Sequence, residues 1–500
     1  MSVFPVQIPE VKNLPMPPLS CALGMAVSYY TYPEIIVFGQ YLIPLILFIL
    51  VISVCFLRVL RYLEASHRTV YKSGILLIAF AVGFSIGMAA RRTVVSPPQP
   101  GLMPERINGV SGILREDPRS LQSGSGLGIL KLKHSTAQGG IRVSARGNVT
   151  VFFPSGSIPR LKEFGRGCEI YAEGVFTDSG RSPLFRATSV HVVKAAPPIE
   201  QFRTSLRSKL LERFREPLVW GGLASALLLG VRDDLEINLL TDFRNSGCAH
   251  ILALSGMHLA VISAVLAFLF MRPLGLRRSS LLGAVFIVIY VFVAGSQPSL
   301  VRSAIMYIIG ALCVCGFLKR KALSLLGMAF IIQLIFQSDT GISLSFILSY
   351  LALLGILTIG ETFHDLFRGR LPEVLSRILS TSLGAFILTM PVVAYYFGSI
   401  KPVGIIAGLL VIPLSSLFMI LALTALALSF LPLPLWIFFD LVLTGVYRLL
   451  ELLVSQAGRV PGFSVSNPVP VLVFTILFWL LILFLIKLDH AHRNSVASFD

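Results

Sequence analysis

The chain has 500 residues, of which 55% are hydrophobic and 13% charged, and its mean hydropathy is +0.81. That balance excludes an ordinary soluble domain and points to a polytopic membrane protein. The formal charge of +17 does not by itself indicate nucleic acid, because polytopic proteins concentrate Lys and Arg in their short cytoplasmic loops.

Met1 to Ser20 carries scattered prolines with no basic n-region and no apolar core, so the spans themselves are expected to direct insertion. Apolar runs of about 17–25 residues read as spans. They fall at 35–58, 74–90, 249–270, 280–297, 300–318, 321–337, 341–359, 378–397, 402–430, 433–456 and 469–487, with shorter partial elements at 19–31 and 219–230. Basic residues cluster in the 59–73, 271–279, 319–321 and 360–377 loops, which are therefore expected on the cytoplasmic side. Alternation of the spans then puts residues 91–218 outside. The division expected is N-terminal membrane helices over 1–95, a small β domain over 96–196, an amphipathic helix over 197–218, a helical membrane core over 219–490 and a tail over 491–500.

From about Val94 the texture changes to short alternating stretches broken by Gly, Ser and Pro, which read as strands. In VTVFF, Val149, Val151 and Phe153 share one face. Between Glu105 and Lys194 there are 13 Lys or Arg against 7 Asp or Glu, so the domain suits a phosphate backbone. Lys131, Lys133, Arg142 and Arg146 are candidate phosphate contacts. Phe152, Phe164, Tyr171 and Phe185 are candidate stacking surfaces for bases; the alternative for each ring is the core of a small barrel. Cys168 is the lone cysteine of the domain, so no disulfide forms within it.

From Ile199 to Phe214 the apolar positions Ile199, Phe202, Leu206, Leu210 and Phe214 recur at helical spacing, with Arg203, Arg207, Lys209 and Arg213 between them. This predicts an interfacial helix whose basic residues meet anionic lipid, and direct contact with DNA is the alternative.

Leu227 to Ala260 packs charge, glycine and two histidines against apolar sequence. Unpaired charge in hydrocarbon is costly, so Arg232, Asp233, Asp234, Arg244, His250 and His258 are expected to line a protein interior, an aqueous cavity or a conduction path. Gly221, Gly222, Gly230, Gly247 and Gly256 permit close helix contact or broken helices there. Ser255 precedes His258 by three residues, and on a continuous helix His250 and His258 stand about 80° apart around the axis. A hydrolase or metal site is conceivable, but LSGM lacks the glycine of a nucleophile elbow and no HExxH occurs. Arg302 lies just inside the next span, and Arg448 and Glu451 are spaced to pair on a late one. No GxxxxGK[ST] loop is present, so any pulling force comes from a partner or the membrane potential.

The segment FRNSGCAHILALSGMHLAVIS (Phe243 to Ser263) resembles the signature of the ComEC family of DNA-uptake channels. The resemblance continues in GSQPSLVRSAIM (Gly295 to Met306), GISLSF (Gly341 to Phe346) and PVVAYYFG (Pro391 to Gly398). It implies a polytopic α-helical membrane protein with an inserted small all-β, OB-like extracytoplasmic domain, taking single-stranded DNA through the inner membrane during natural transformation. Arg232, Asp234, Arg244, His250, Ser255, His258 and Arg302 would line its channel. The implied partners are single-stranded DNA, membrane lipid, a cytoplasmic DNA-translocating motor, an extracytoplasmic DNA receptor and a separate nuclease; no cofactor, metal or catalytic residue is expected. Many relatives end in a metallo-β-lactamase-like domain with a HxHxDH motif. Here DHAHR (Asp489 to Arg493) differs from it, so the chain reads as a short form. The rival readings are a membrane-embedded hydrolase or protease centred on Ser255 and His258, and a carrier of another polyanion.

Overall fold

The structure, a computed structural model, describes residues 18–30, 67–92, 103–121, 123–137, 139–178, 183–215, 218–316, 321–429 and 436–466, together with 94, 100 and 101. The spans expected at 35–58 and 469–487 and the Asp489–Arg493 motif lie outside the described residues. The chain divides into two compact units, one made of Met1–Val94, Pro273–Ala284 and Arg302–Ser343, the other of Val95–Arg272, Val285–Val301 and Leu344–Asp500.

In the first unit, helix α1 (residues 18–30) meets helix α2 (His67–Arg92) through glycine. A Cβ on Gly83 would stand 1.9 Å from the Cys21 carbonyl oxygen, and one on Gly24 2.1 Å from that of Phe80. Only glycine lets the two backbones approach so closely.

The second unit begins with a mixed sheet of β1 (Ile107–Leu114), β2 (Arg119–Ser120), β3 (Gly126–Ala137), β4 (Arg142–Ser144), β5 (Asn148–Phe153), β6 (Glu169–Asp178) and β7 (Pro183–Lys194), with α3 (Ser157–Phe164) between β5 and β6. Five strands pair in a ring: β1 with β6, β6 with β7, β7 with β5, β5 with β3, and β3 with β1. The β5–β7 pair is parallel and the others antiparallel. Closure of this kind removes the free edges along which a sheet would otherwise aggregate. The alternation expected in β5 holds, with Val149, Val151 and Phe153 buried, and α3 adds Ile158 and Leu161 to the same core.

In helix α4 (Pro198–Glu212) two of the four basic residues expected to meet lipid turn inward instead. Ile199 and Phe202 are exposed, whereas Phe214 is buried and Leu206 and Leu210 pack against the helical core. The side chain of Arg203 is 0% exposed and that of Arg207 13%. Both face carboxylates of the protein, so neither is free to meet lipid headgroups or DNA.

The buried α5 (Gly221–Ala224) widens into a looser turn, Ser225–Leu229, that stops at Gly230, whose φ of 70° is the left-handed conformation glycine tolerates. Next come α6 (Ile237–Asn245), a short tight turn at Ala249–Leu252, and α7 (Gly256–Ala294). Helix α7 contains Pro273 and a non-helical Gly275 at φ 73°, which separates the spans expected at 249–270 and 280–297. The first of those spans starts later than expected. Residues 253–255 are not helical, so His250 and His258 do not share one helix and their supposed angular relation does not exist.

Helices α8 (Pro298–Cys315), α9 (Ala322–Phe336), α10 (Leu344–Gly355), α11 (Glu361–Phe367), α12 (Glu373–Phe397), α13 (Val403–Leu428) and α14 (Trp436–Gly458) follow, and the strands β8 (Ser399–Ile400) and β9 (Phe463–Ser464) form a small antiparallel pair on either side of α13 and α14 in the chain. Among the described residues five helical segments are long and apolar enough to cross a membrane: Gly256–Ala294, Pro298–Cys315, Leu344–Phe367, Glu373–Phe397 and Val403–Leu428. The molecule is thus a polytopic membrane protein with an inserted mixed-sheet domain. Helix α14 carries the charged residues Asp440, Arg448 and Glu451. Arg448 and Glu451 pair at 3.2 Å, as their spacing predicted. Buried Trp220 packs on Phe418 of α13, and its indole Nε1 donates to Asp440 of α14 at 2.8 Å, tying α13 and α14 to the start of α5.

Candidate functional site

The polar stretch between Gly230 and His258 is built from two turns and one short helix. Arg232 donates from Nε to the Leu252 carbonyl at 3.2 Å, so the turn after Gly230 is tied to the turn after α6. The next residue, Asp233, reaches the β domain: it accepts from the backbone N–H of Ser120 at 3.2 Å and from Lys162 Nζ of α3 at 2.5 Å. The carboxylate expected to line a protein interior, an aqueous cavity or a conduction path thus serves as a dock for the sheet. Asp234 is exposed, as are Arg244 at the end of α6 and His250. Behind Arg244 the chain reverses at Gly247, φ 75°, where a Cβ would stand 3.0 Å from the Lys401 carbonyl oxygen and 3.1 Å from Gly404 Cα. A larger residue at that position would be strained in conformation and crowded by backbone.

Ser255 caps α7, with its side chain accepting from the His258 backbone N–H. The His258 Nδ1 accepts in return from the Ser255 backbone N–H at 3.2 Å and lies 3.0 Å from Ser255 Oγ. This is the reciprocal arrangement of a capping box, with histidine where glutamate or glutamine is usual. An accepting Nδ1 puts the proton of the neutral ring on Nε2. Nε2 is buried and finds no partner among the described residues. The Ser–His distance alone would serve a nucleophile and its base, but a base of that kind is oriented by a third group on the far ring nitrogen. Here the far nitrogen lacks one, and both near contacts are accounted for by capping.

Arg302, in α8 of the other unit, is 7% exposed, and its Nη2 donates to Ser303 Oγ at 3.3 Å. In the β domain Lys131, Arg142 and Arg146 are exposed, while Lys133 is engaged by Glu169 at 2.7 Å. Phe152, on the opposite face of β5 from Phe153, carries Arg186 over its ring at 5.5 Å. Tyr171 is half-buried, and Phe164 packs against the core. Phe185 is wholly buried, edge-on to Phe176 at 5.1 Å, so its ring offers no face to a base. Its position on β7, opposite the inward Val151, turns it into the barrel and corrects its candidacy as a stacking surface. Cys168 is likewise buried, and burial pushes its thiol up to about 11, which leaves it unreactive.

The sequence reading missed one feature, an ionic cluster centred on Asp117. Asp117 accepts from Arg203 at 2.6 Å, from Arg207 at 3.0 Å and from the Arg166 backbone N–H at 3.1 Å. Glu200 takes Arg166 through two contacts of 2.8 Å and Arg203 through one of 2.8 Å. Burial raises the Asp117 pKa, but the arginines and the backbone donor outweigh it and hold the carboxyl below its ordinary range. Arg207 also donates to the carbonyls of Leu229 and Ala294 at 2.9 Å, the ends of the loose turn and of α7. Cations are favourable where helix carbonyls lack intrahelical partners. One guanidinium therefore joins the β domain, α4 and two helix ends. The only local signal was an acid just before Pro118, too common to mark.

The profile of the Competence protein family matches residues 227–490. ComE operon protein 3 of Bacillus subtilis (strain 168) is 30% identical over 276 residues, which is 51% of this chain and 32% of that protein. An uncharacterized protein of Aquifex aeolicus (strain VF5) is 27% identical over 217 residues, 42% of this chain and 50% of that protein. The aligned stretch thus spans half or less of the length of each relative. Since the family profile covers more than half of the chain, opening on the polar stretch just described and running through the membrane helices beyond it, the chain belongs to the Competence (ComEC) protein family.

Proposed function

We propose that this protein is a conduit for uptake of single-stranded DNA across the cytoplasmic membrane in natural transformation. One observation carries the reading: the polar stretch that opens the family match is bonded, through Asp233, to a basic closed barrel in the same unit. The barrel, residues 96–196, is of the oligonucleotide-binding type in this reading. Its support is the five-strand ring with one parallel pair and a helix between the third and fourth of its strands. Lys131, Arg142 and Arg146 track phosphates, and Phe152 and Tyr171 stack bases. The barrel faces the extracytoplasmic side, a reading supported by the basic short loops at 271–279 and 360–377.

Within the helical core, residues 219–490, Arg232, Asp234, Arg244, His250, Ser255 and His258 are the polar lining contributed by one unit, and Arg302 is the polar lining residue of the other, since charged and polar groups are costly against lipid. The motor, the DNA receptor and a nuclease are separate partners. The test is a strain lacking this gene, supplied with end-labelled DNA. Label should fail to reach the cytoplasm in that strain and should reach it once the gene is restored. Undiminished arrival of label in the deletion strain would overturn the conduit.

A further inference from the structure

Three arginines gather where the barrel meets the turn after Gly230. Arg119 lies on β2, Arg232 on the turn and Arg244 in the last turn of α6. The bond from Ser120 N–H to Asp233 sets the neighbour of Arg119 against the neighbour of Arg232, and the Arg232–Leu252 bond ties that turn to the chain that follows Arg244. All three side chains belong to exposed residues. Of the acids in contact there, one pairs with an arginine of the group and one is held by a lysine. Glu116 meets only Arg119, at 3.3 Å, and Asp233 is taken by Lys162 and the Ser120 N–H. Among the described residues neither Arg232 nor Arg244 has an ion-pair partner. Desolvation, and then the charges of Arg119 and Arg244, pull the Arg232 pKa below the usual arginine value, so the guanidinia act on one another.

Guanidinia that act on one another are stabilised by an anion between them, and their forks match the paired oxygens of a phosphodiester. The charge runs on past Arg244. Lys401 abuts Gly247, and exposed Arg459 follows Gly458, whose Cβ position is 3.4 Å from Asn245 Cβ. A row of cations running from a barrel strand to the helical core fits a polymer of phosphates better than a single headgroup. We propose that Arg119, Arg232 and Arg244 form a phosphodiester-binding site that receives a nucleic-acid backbone as it passes from the barrel to the helical core. This rests on the conduit reading above.

The test uses the full chain in nanodiscs of phosphatidylcholine and a fluorescein-labelled oligothymidylate, with binding followed by anisotropy over a salt series. Each lost contact to a single strand lowers the salt slope by about 0.7. Arg119→Gln, Arg232→Gln and Arg244→Gln should each do so, and the triple variant should lose about 2. If the triple variant does not fold, the Arg119→Gln, Arg244→Gln double variant, which keeps the Arg232–Leu252 bond, should lose about 1.4. A wild type with a steep slope and a folded triple or double variant with the same slope overturns this site and leaves the conduit standing. A wild type that binds no oligonucleotide overturns both. A second arm adds phosphatidylglycerol to the nanodiscs: if this abolishes the difference between wild type and variant, the ligand is a lipid headgroup and the proposal is overturned.

Discussion

His258 closes back on Ser255 across the first turn of α7, its Nδ1 3.2 Å from the serine backbone nitrogen and 3.0 Å from Oγ. Glutamine can make the same return bond, so His258→Gln should keep the cap. Leucine cannot, and His258→Leu should cost about 1 kcal/mol, the usual size of a lost cap. Thermal unfolding in detergent separates the two. DNA uptake should persist in His258→Gln and fall in His258→Leu; equal loss in both, with normal amounts in the membrane, would revive chemistry at Ser255 and His258.

Removing the charge of Asp117 leaves Arg203 and Arg207 buried without their shared acid. Asp117→Asn should therefore destabilise the protein by about 3–5 kcal/mol near neutral pH. Because the folded carboxyl titrates below its ordinary value, its stabilisation is complete above the unfolded pKa, about 3.9. It is lost as pH falls through the lowered folded value. The gap in unfolding temperature between wild type and variant should be constant above about pH 4 and narrow below it. A gap that ignores acid, or no gap at all, contradicts the assignment.

Phe152 and Phe185 should separate binding from folding. Phe152→Ala should weaken oligonucleotide binding by about 1–3 kcal/mol with little change in unfolding temperature. Phe185→Ala opens a hole in the barrel and should cost about 3–5 kcal/mol of stability. Paired anisotropy and thermal melts decide; identical profiles for the two variants would remove the stacking role from Phe152.

Orientation can be read by labelling exposed positions. Ser144→Cys, on β4, should react with an impermeant maleimide added to intact spheroplasts, and Asp365→Cys, on α11, only after the membrane is opened. The reverse pattern would turn the barrel to the cytoplasm.

Local regularities were legible in the sequence, and long-range ones were not. Alternation in β5 and the apolar length of α8, α12 and α13 are local properties, and they predicted their elements. Helical spacing grouped Arg203 and Arg207 correctly but could not say that Asp117, 86 and 90 residues away along the chain, waits on that side. The cap at Ser255 escaped notice because histidine replaces the usual third-residue acid or amide. Phe185 was misread because its face depends on the register of β7 against β5. Asp233 stood out as a charge needing a partner, yet the partner lay in another element.

The ring of strands imposes a timetable. β5 waits for β7 as its parallel neighbour, and Asp117 waits for arginines that are made only after Lys194. A nascent chain therefore cannot complete the barrel, or fasten it to α4, until the domain has wholly emerged where it folds. Until then its apolar strands and buried-to-be arginines stand open to chaperones and proteases. A lesion at Asp117 should accordingly show itself first in the cell as poor accumulation of the protein, before any defect in the finished molecule can be measured.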